Sequence, residues 1–472
     1  MDVHVSLAGR GDLSARIYRQ LLDAVLDGRL PAGERLPPTR ELARRLDVSR
    51  NTVTVAYERL AAEGILSGRI GAGTFVSSEP LGRIQSRKAP SGAVRPRRLW
   101  ESLSTPDVTW AAYPYDFRVG VPDVHLFPLA EWRRLVAREL RPAALRSAAY
   151  GVSSGHAGLR AAVARHVGVS RSVRASGDDV IITHGAQQAV DLIGRVLITP
   201  GECVAVEEPG YPPVRRLFES LGARVVGVPV DEDGLDVSAI PKAAHLVYVT
   251  PSHQFPLGVP MSLQRRAALL AWAERRGAVI IEDDYDSEFR FEGRPLDPLQ
   301  SLDRAGRVVY VGSFSKVMLP MLRLGFLVAP ASLQPALRTA KQLADWHGEL
   351  PTQAALARFI DEGLLARHIR RVAHEYLIRR ERIAGVLQRN FRAWLQLVPS
   401  VAGLHFAAQV APGASVDVDR VVRRARASGV AVDDLRRFYS GIPRQAGLVI
   451  GYGAIPTAKV DEGLRQLEAG FR

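Results

Sequence analysis

One lysine stands at the end of a strand-like apolar run. The chain has five lysines, and Lys316 follows "VVYVGSFS". A lysine amine held in that position can react with a carbonyl group to form a Schiff base. It can equally extend its ammonium group to water along an apolar stem. The spacing alone does not distinguish these two interpretations. The residues predicted to lie near Lys316 are therefore needed to decide between them.

Small and polar residues also follow the neighbouring apolar runs. They include small residues that open a helix, aromatic rings, an imidazole, an amide, carboxylates and hydroxyls: Gly185, Ala186, Tyr211, His253, Gln254, Asp283, Tyr285 and Ser313. Pyridoxal 5′-phosphate requires such a set. Its aldehyde needs an amine, its pyridine nitrogen an anion, and its phosphate a helix N-terminus with hydroxyls and a guanidinium. Asp284 and Asp286 are alternatives to Asp283 as that anion.

The elements that would position these residues are predicted from Asp116 onward. Strand-like runs alternate there with helical stretches: "DVIIT", "CVAVEE", "ARVVGVPV", "HLVYVT", "GAVIIEDD", "RVVYVGS" and "LGFLVAP". This alternation is typical of an α/β sheet that is buried on both faces and binds ligands at the carboxyl ends of its strands. A dinucleotide-binding domain is disfavoured because no GxGxxG motif follows an early strand.

The N-terminal fifth of the chain is basic and has a different pattern. Residues 1–98 carry 17 Arg and Lys against 10 Asp and Glu, which is half of the net charge of +14. Three short helices and a glycine-rich hairpin, "ILSGRIGAGTFVS", are predicted between Leu13 and Ser77. The third helix opens at Ser49 and presents polar residues on its outer side: Arg50, Asn51, Thr52 and Thr54. Such residues at a helix start can read bases in a major groove, which indicates a DNA partner.

Length and composition set the domain organisation. With 472 residues, 47% of them apolar, the chain should form more than one domain. We predict a DNA-binding domain over 1–77, a basic linker over 78–114 that is rich in Pro, Gly, Ser and Arg, and an effector domain over 115–472. The single cysteine, Cys203, excludes a disulfide framework. No run approaches the roughly 18 apolar residues of a membrane span. We therefore expect a cytoplasmic protein without a membrane partner, and no metal site is indicated.

The N-terminal segment resembles a known family. "LPAGERLPPTRELARRLDVSRNTVTVAYERLAAEGILSGRIGAGTFV" is similar to the winged helix-turn-helix of the GntR family of bacterial transcription regulators. That resemblance implies DNA contacts by Arg40, Arg50, Thr52 and, in the wing, Gly71. Thr54 stands where some members carry a base-reading Arg.

The rest of the chain resembles a second fold. "YGVSSGHAGLRAAVARHV", "TPSHQFPLG", "EDDYDSEF" and "SFSK" followed by "LRLGF" are similar to fold type I aminotransferases, in the version that follows a GntR head in the MocR subfamily. The implied fold class is α/β: a winged helix-turn-helix, then a large fold type I domain that binds pyridoxal phosphate (PLP) and ends in a smaller C-terminal α/β subdomain.

The same resemblance assigns roles to individual residues. Lys316 would be the Schiff-base lysine, and Asp283 would pair with the pyridine nitrogen. Tyr285 would bond the phenolic oxygen of the ring, with His253 or Gln254 beside it, and Tyr211 would stack on the ring. The phosphate would be held by Gly185, Ala186, Ser313 and Arg323. Tyr150 matches a tyrosine that reaches the phosphate of the other subunit of a dimer.

The C-terminal region departs from the family pattern in one residue. Amino-acid-handling members carry an Arg there that pairs with the substrate carboxylate, and this chain has Val449 in "GLVIGYGAI". Arg444 and Arg215 are possible substitutes. We therefore expect a homodimeric regulator of operator DNA that senses PLP, or PLP with an amino acid or amine, rather than an enzyme with physiological turnover. The alternative is an active aminotransferase that carries a DNA-binding head.

Overall fold

The computed structural model describes residues 12–69, 73–77, 94–103, 112–142, 149–293 and 296–472. The chain divides into two compact units, Met1–Pro96 and Arg97–Arg472. Within the described ranges, every helix is too short or too polar to span a bilayer.

The first unit consists of three helices and a hairpin, as predicted. Its elements are α1 (Leu13–Leu26), α2 (Thr39–Leu46), α3 (Arg50–Ala62), β1 (Leu66–Arg69) and β2 (Gly73–Val76). The two strands are antiparallel. One apolar core holds the unit together, and it takes the inward faces of all three helices and both strands. The third helix is fixed in this core by Val53, Tyr57 and Leu60, which leaves its opposite face to solvent.

Side-chain caps set two of the helix starts. Ser49 accepts a hydrogen bond from the Thr52 amide at 3.1 Å, so the predicted start of α3 is confirmed. At α1 the cap is Asp12, whose carboxylate accepts from the Ser14 amide at 2.9 Å. The helix therefore begins one residue before Ser14, because a carboxylate satisfies the free N–H groups of the first turn.

The segment predicted as a linker is described only in part. Residues 78–93 and 104–111 lie outside the described residues. Between them a short helix, α4 (Arg98–Ser102), is present in a stretch that shows no periodicity in the sequence. One turn of helix carries too few apolar positions to give a periodic signal.

The second unit alternates strands and helices. Its elements are β3 (Tyr115–Asp116), α5 (Leu129–Glu139), α6 (Ala157–Arg171), β4 (Val180–Thr183), α7 (Gly185–Leu197), β5 (Cys203–Glu208), α8 (Pro212–Ser220), β6 (Arg224–Asp231), β7 (Gly234–Leu235), β8 (Ala244–Val249), α9 (Leu263–Arg276), β9 (Val279–Asp284), α10 (Leu299–Leu302), β10 (Val308–Ser313), β11 (Gly325–Val328), α11 (Gln334–Asp345), α12 (Leu350–Asp361), α13 (Leu364–Asn390), β12 (Leu395–Leu397), β13 (His405–Val410), α14 (Val418–Ala427), β14 (Val430–Ala431), β15 (Asp433–Asp434), β16 (Gly447–Gly451) and α15 (Val460–Ala469).

The seven predicted strands all belong to one sheet of eight strands, in the order β4-β11-β10-β9-β8-β5-β6-β7. Five strands from β10 to β6 are parallel to one another. β11 is antiparallel to both of its neighbours, β10 and β4. The carboxyl ends of β4, β5, β8, β9 and β10 therefore meet at one edge of the sheet, and β11 begins at that same edge.

A smaller sheet follows near the C-terminus. Its antiparallel strands have the order β12-β13-β16-β15, while β3 pairs with β14. Apolar residues of α13, α14 and α15 pack against it within the largest core cluster. The predicted smaller C-terminal α/β subdomain is thus present, and it brings the first residue of β13 towards the edge of the large sheet.

Candidate functional site

A cavity of about 540 Å³ lies at the edge where the carboxyl ends of the parallel strands meet. Seven of the residues predicted for a cofactor site line it: Ala186, Tyr211, Asp283, Tyr285, Ser313, Lys316 and Arg323. Gly185, His253 and Gln254 are not part of its lining. The chain segment around Gly120 and the start of β13 also line it.

Lys316 is partly buried in this cavity. Its Nζ donates a hydrogen bond to the carbonyl oxygen of Gly120 at 2.8 Å. Gly120 has φ +79°, and a Cβ added there would lie 2.8 Å from Nζ, so the close approach requires glycine. Burial lowers the pKa of Lys316, and the nearby carboxylates of Asp286 and Asp283 partly offset that effect. A lowered pKa favours the neutral amine, which is the form that attacks a carbonyl.

Asp283 presents an acceptor without a partner. Its Oδ2 accepts a hydrogen bond from the Tyr248 hydroxyl at 2.6 Å. Its Oδ1 is buried and has no hydrogen-bond partner. Burial raises the pKa of Asp283 to about 7, although the bond from Tyr248 works against the rise. A buried carboxylate oxygen without a donor is costly, and the N–H of a pyridinium ring is the type of group that would satisfy it.

The start of α7 forms a part of the cavity wall that is suited to an anion. α7 begins at Gly185 with its first amides unpaired within the helix, and Ala186 and Ser313 line the cavity beside it. The Arg323 guanidinium donates to the His184 carbonyl at 2.8 Å and is thereby held at the helix start. A Cβ on Gly185 would lie 3.1 Å from that guanidinium, so the glycine leaves it room.

Aromatic rings in the cavity wall include those of Tyr211, Phe255 and Tyr285. Tyr211 packs its ring edge-on against Phe255 at 5.5 Å and keeps 38% of its surface exposed. The Tyr285 hydroxyl donates to the His253 carbonyl at 3.0 Å and also lies 3.0 Å from its Nδ1. Burial raises the pKa of Tyr285 well above its usual value, so the hydroxyl keeps its proton.

His253, Asp286 and His405 form a buried cluster beside Tyr285. Both carboxylate oxygens of Asp286 lie 3.1 Å from His253 Nδ1. The three side chains could in principle hold a metal ion. Their hydrogen bonds indicate a network instead, because His253 Nδ1 is already shared between Asp286 and Tyr285. His405 Nε2 donates to the Pro256 carbonyl at 3.0 Å, and burial followed by the neighbouring His253 lowers the pKa of His405 well below its usual value.

Gln254 is occupied within its own loop. Its amide nitrogen donates to the carbonyls of Pro209 at 2.9 Å and Phe255 at 2.6 Å, and its oxygen accepts from the Leu257 amide. Of the two residues predicted beside the ring, His253 is therefore the one joined to the cavity wall, through Tyr285 and Asp286.

Three contributors to the cavity were missed in the sequence. Tyr248 lies within an apolar strand, and its only signal is a hydroxyl in an otherwise apolar run. His405 belongs to the smaller sheet, and Gly120 to a segment without strand or helix pattern. Neither of these two could be placed without the tertiary structure.

Val449 lies in β16 and is fully buried among Leu257, Ala407 and Leu435. It does not line the cavity. Arg444 is exposed, and Arg215 is paired with Glu208. Among the described residues, Arg323 supplies the only guanidinium in the cavity wall.

In the first unit, the predicted base-reading residues lie on the free side of α3. Arg50 and Asn51 are exposed, and so is Arg40 of α2. Thr52 and Thr54 are partly buried, and their hydroxyls bond to Ser49 Oγ at 2.8 Å and to the Arg50 carbonyl at 3.0 Å. Gly71 of the wing lies outside the described residues.

Both units match known families. Residues 13–76 match "Bacterial regulatory proteins, gntR family", and residues 115–442 match "Aminotransferase class I and II".

Relatives of the whole chain are also found. It is 38% identical to the probable rhizopine catabolism regulatory protein MocR of Rhizobium meliloti, over 84% of this chain and 81% of that protein. It is 34% identical to the HTH-type pyridoxine biosynthesis transcriptional regulator PdxR of Corynebacterium glutamicum, over 83% of this chain and 82% of that protein. Among solved structures, the alpha-aminoadipate aminotransferase LysN of Thermus thermophilus matches with a TM-score of 0.69 and 30% identity, over 75% of this chain and 91% of that one.

Proposed function

Because this chain belongs to the MocR-type regulators of the GntR family, which join a winged helix-turn-helix to an aminotransferase class I and II domain, we propose that PLP bound at Lys316 controls its action on DNA. The chain is a transcription regulator with a DNA-binding domain. The cofactor, the effector and the homodimer are the further parts of the proposal.

The observation that carries the cofactor assignment is the unpartnered Oδ1 of Asp283 in the wall of a cavity that also holds Lys316. Bound PLP would supply an aldehyde that condenses with a primary amine and a ring that withdraws electrons. Asp283 would hold the proton on the pyridine nitrogen. Tyr211 would face the ring, and Tyr285 its phenolic oxygen. The amides at the start of α7, with Ser313 and Arg323, would bind the phosphate.

Among the described residues, the cavity wall offers no second guanidinium to hold the carboxylate of an amino acid, which favours regulation over enzymatic turnover. Transamination requires that the substrate be held in one orientation, and a guanidinium that pairs with its carboxylate normally does this. The Arg323 guanidinium is assigned to the phosphate, and Val449 is apolar and lies outside the cavity wall. We therefore expect that amino acids convert the cofactor to its amine form slowly and incompletely in single-turnover experiments.

A homodimer would present two DNA-binding heads to two half-sites of an operator. Exposed aromatic residues of the effector unit support such an association. Tyr150 is 78% exposed and stacks on Trp346 with ring centroids 5.0 Å apart. Apolar aromatic surface of this kind is commonly covered in an interface.

Two measurements test the proposal. Borohydride reduction of the protein with PLP, followed by peptide mass mapping, should place the cofactor on Lys316. The Lys316→Ala variant should lose the label and the visible absorption band, whereas Lys242→Ala, which removes an exposed lysine, should retain both. Labelling of any other residue, or of none, would refute the cofactor assignment.

The second measurement is a footprint on the DNA upstream of the gene for this protein. Sequence-selective protection should appear, weaken as salt is added, and change in extent when PLP is present. Protection that is the same with and without PLP would show that the effector unit does not control DNA binding.

A further inference from the structure

One part of the cavity wall is apolar and takes no part in the proposed cofactor contacts. We call it the ligand end, and its apolar wall consists of Val119, Val121, Val124, Phe255, Leu319 and Leu404. In a bound effector, the group attached to the amine nitrogen would lie against these side chains. This surface favours a hydrocarbon body, because burial of apolar groups is favourable there.

Three of the polar groups beside this apolar wall are acceptors. The Gly120 carbonyl oxygen points at Lys316 Nζ from 2.8 Å. Asp286 lines the cavity, and its carboxylate accepts from His253 at 3.1 Å and from the Leu404 amide at 3.3 Å. His405 donates through Nε2 to a backbone carbonyl, which leaves only its Nδ1 lone pair, and burial keeps its ring neutral by lowering its pKa.

Apart from Lys316 itself, Arg323 supplies the only cation among the described residues of the cavity wall. It helps to lower the pKa of Lys316, but the His184 carbonyl holds it at the start of α7, where we place the phosphate. Arg118 precedes the wall segment, but it pairs with Asp116 through Nε at 2.9 Å and does not line the cavity. A carboxylate next to the reacting nitrogen would therefore meet a carbonyl oxygen and a second carboxylate in an apolar surrounding, which is unfavourable.

Building on the PLP-dependent function proposed above, we propose that the effector is a primary amine with an apolar body and without an acidic group. The exchange needs no other reactant. The ligand nitrogen forms the C=N bond that Lys316 gives up, and its two protons pass to Nζ. Lys316 is released as a neutral amine, for which the Gly120 carbonyl remains as an acceptor. No electrons enter or leave.

The test compares pairs of probes that share a skeleton. Full-length protein loaded with PLP is titrated with pentylamine and 5-aminopentanoate, and separately with 2-phenylethylamine and phenylalanine. Concentrations are expressed as free amine, and the readouts are the cofactor absorption band and borohydride trapping of the ligand. We expect each amine to displace Lys316 at concentrations at least about tenfold lower than its acid counterpart. Equal potency within each pair, or no displacement by either amine, would overturn the inference.

A matched pair of variants tests the physical cause. Val124 lines the cavity and is 59% exposed, so a longer side chain can be accommodated there. Val124→Arg adds a guanidinium at the ligand end, and Val124→Gln adds a neutral polar group of similar reach. Val124→Arg should lower the concentration of each acid needed for displacement by roughly tenfold relative to Val124→Gln, whereas the two variants should not differ from each other in their response to each amine. The same response of both variants to the acids would contradict the charge argument.

Two outcomes distinguish a wrong effector class from a wrong proposed function. A protein that shows no cofactor band and no label on Lys316 before any probe is added would refute the proposed function, and the inference with it. A normal band and label, together with acids as potent as amines, would refute only the effector class.

Discussion

Lys316 and Asp283 owe their chemical potential to burial at the same sheet edge. Burial lowers the pKa of the lysine and raises that of the aspartate to about 7, so each is biased towards its neutral form. A cofactor that condenses with the neutral amine and donates a pyridinium N–H to Asp283 would use the first bias and favour the ionised carboxylate against the second.

The raised pKa of Asp283 predicts a pH dependence of stability in the absence of cofactor. Its ordinary value is 3.8 and its value here is about 7, so between these pH values the folded protein binds more protons than the unfolded chain. The free energy of unfolding should therefore fall as pH rises through this window, by about 1.4 kcal/mol per unit of raised pKa. Asp283→Asn should flatten part of this fall.

The measurement is the urea midpoint of both proteins at pH 5 and pH 8. Asp283→Asn should gain more in urea midpoint relative to wild type at pH 8 than at pH 5. Glu207 and Glu282 have pKa values raised to about 7 by burial as well, so some pH dependence should remain in the variant. Identical pH profiles would show that Asp283 does not titrate in this range.

At the residue scale, the sequence predicted site residues that lie at or shortly after the carboxyl end of a strand. Lys316 and Asp283 line the cavity because a parallel sheet brings the ends of its strands together. Tyr248 was missed because a tyrosine inside an apolar strand is ordinarily a core residue. His405 was missed because its approach depends on how the smaller sheet packs, which no local pattern encodes.

At the scale of elements, the antiparallel strand β11 determines how the proposed phosphate site is built. It runs between β10 and β4, and its first residue, Gly325, lies against the start of α7. The apolar run "LGFLVAP" predicted a strand but not its direction, because parallel and antiparallel strands buried on both faces have the same apolar pattern. The result is that Arg323, just before β11, lies beside Gly185.

Gly325→Ala should weaken cofactor binding. A Cβ at this position would lie 2.7 Å from the Gly185 Cα, so the backbone at the start of α7 would have to move. We expect the dissociation constant for PLP to rise by at least about tenfold, with a loss of stability of about 1–3 kcal/mol from overpacking. Fluorescence titration with PLP and urea unfolding measure the two effects.

Gly168→Ala is the matched control for this variant. Gly168 lies within α6, and the nearest atom to an added Cβ is the Val173 carbonyl oxygen at 3.7 Å. This change should leave PLP affinity unaltered and stabilise the helix by up to about 1 kcal/mol. If both variants bind PLP as wild type does, the start of α7 is not part of the phosphate site.

At the scale of the whole molecule, the proposed function requires that the two compact units influence each other. A ligand can do this only if it binds the DNA-competent and DNA-incompetent arrangements with different affinity. Binding linkage is reciprocal. Operator DNA should therefore change the affinity of the full-length protein for PLP by the same factor by which PLP changes its affinity for that DNA.

Paired titrations check this reciprocity. PLP is titrated with and without the protected DNA fragment, and the fragment is titrated with and without PLP. Lys316→Ala should bind the fragment with the basal affinity of the cofactor-free protein and show no response to PLP. Factors that differ between the two directions would mean that the two ligands do not act on one equilibrium.

The basic residues of the first unit predict a salt-dependent contribution to DNA binding. Arg50 is exposed at the start of α3, whereas Arg59, near its end, pairs with Glu63 at 3.3 Å and lies over the Tyr18 ring. Arg50→Ala should weaken binding to the protected fragment and reduce the slope of log affinity against log salt by about 0.9. Arg59→Ala should leave the slope unchanged, and equal slopes for wild type and Arg50→Ala would exclude a phosphate contact by Arg50.

The stacked pair of Tyr150 and Trp346 gives the protein an optical reporter of its own. Trp346 adopts φ +63°, an uncommon conformation for a large side chain, and keeps 51% of its surface in water. Indole emission shifts to shorter wavelength when water is removed from the ring. If two copies associate through this surface, dilution should move the emission of wild type, but not of Trp346→Phe, towards the red, and self-association could be followed without any attached dye.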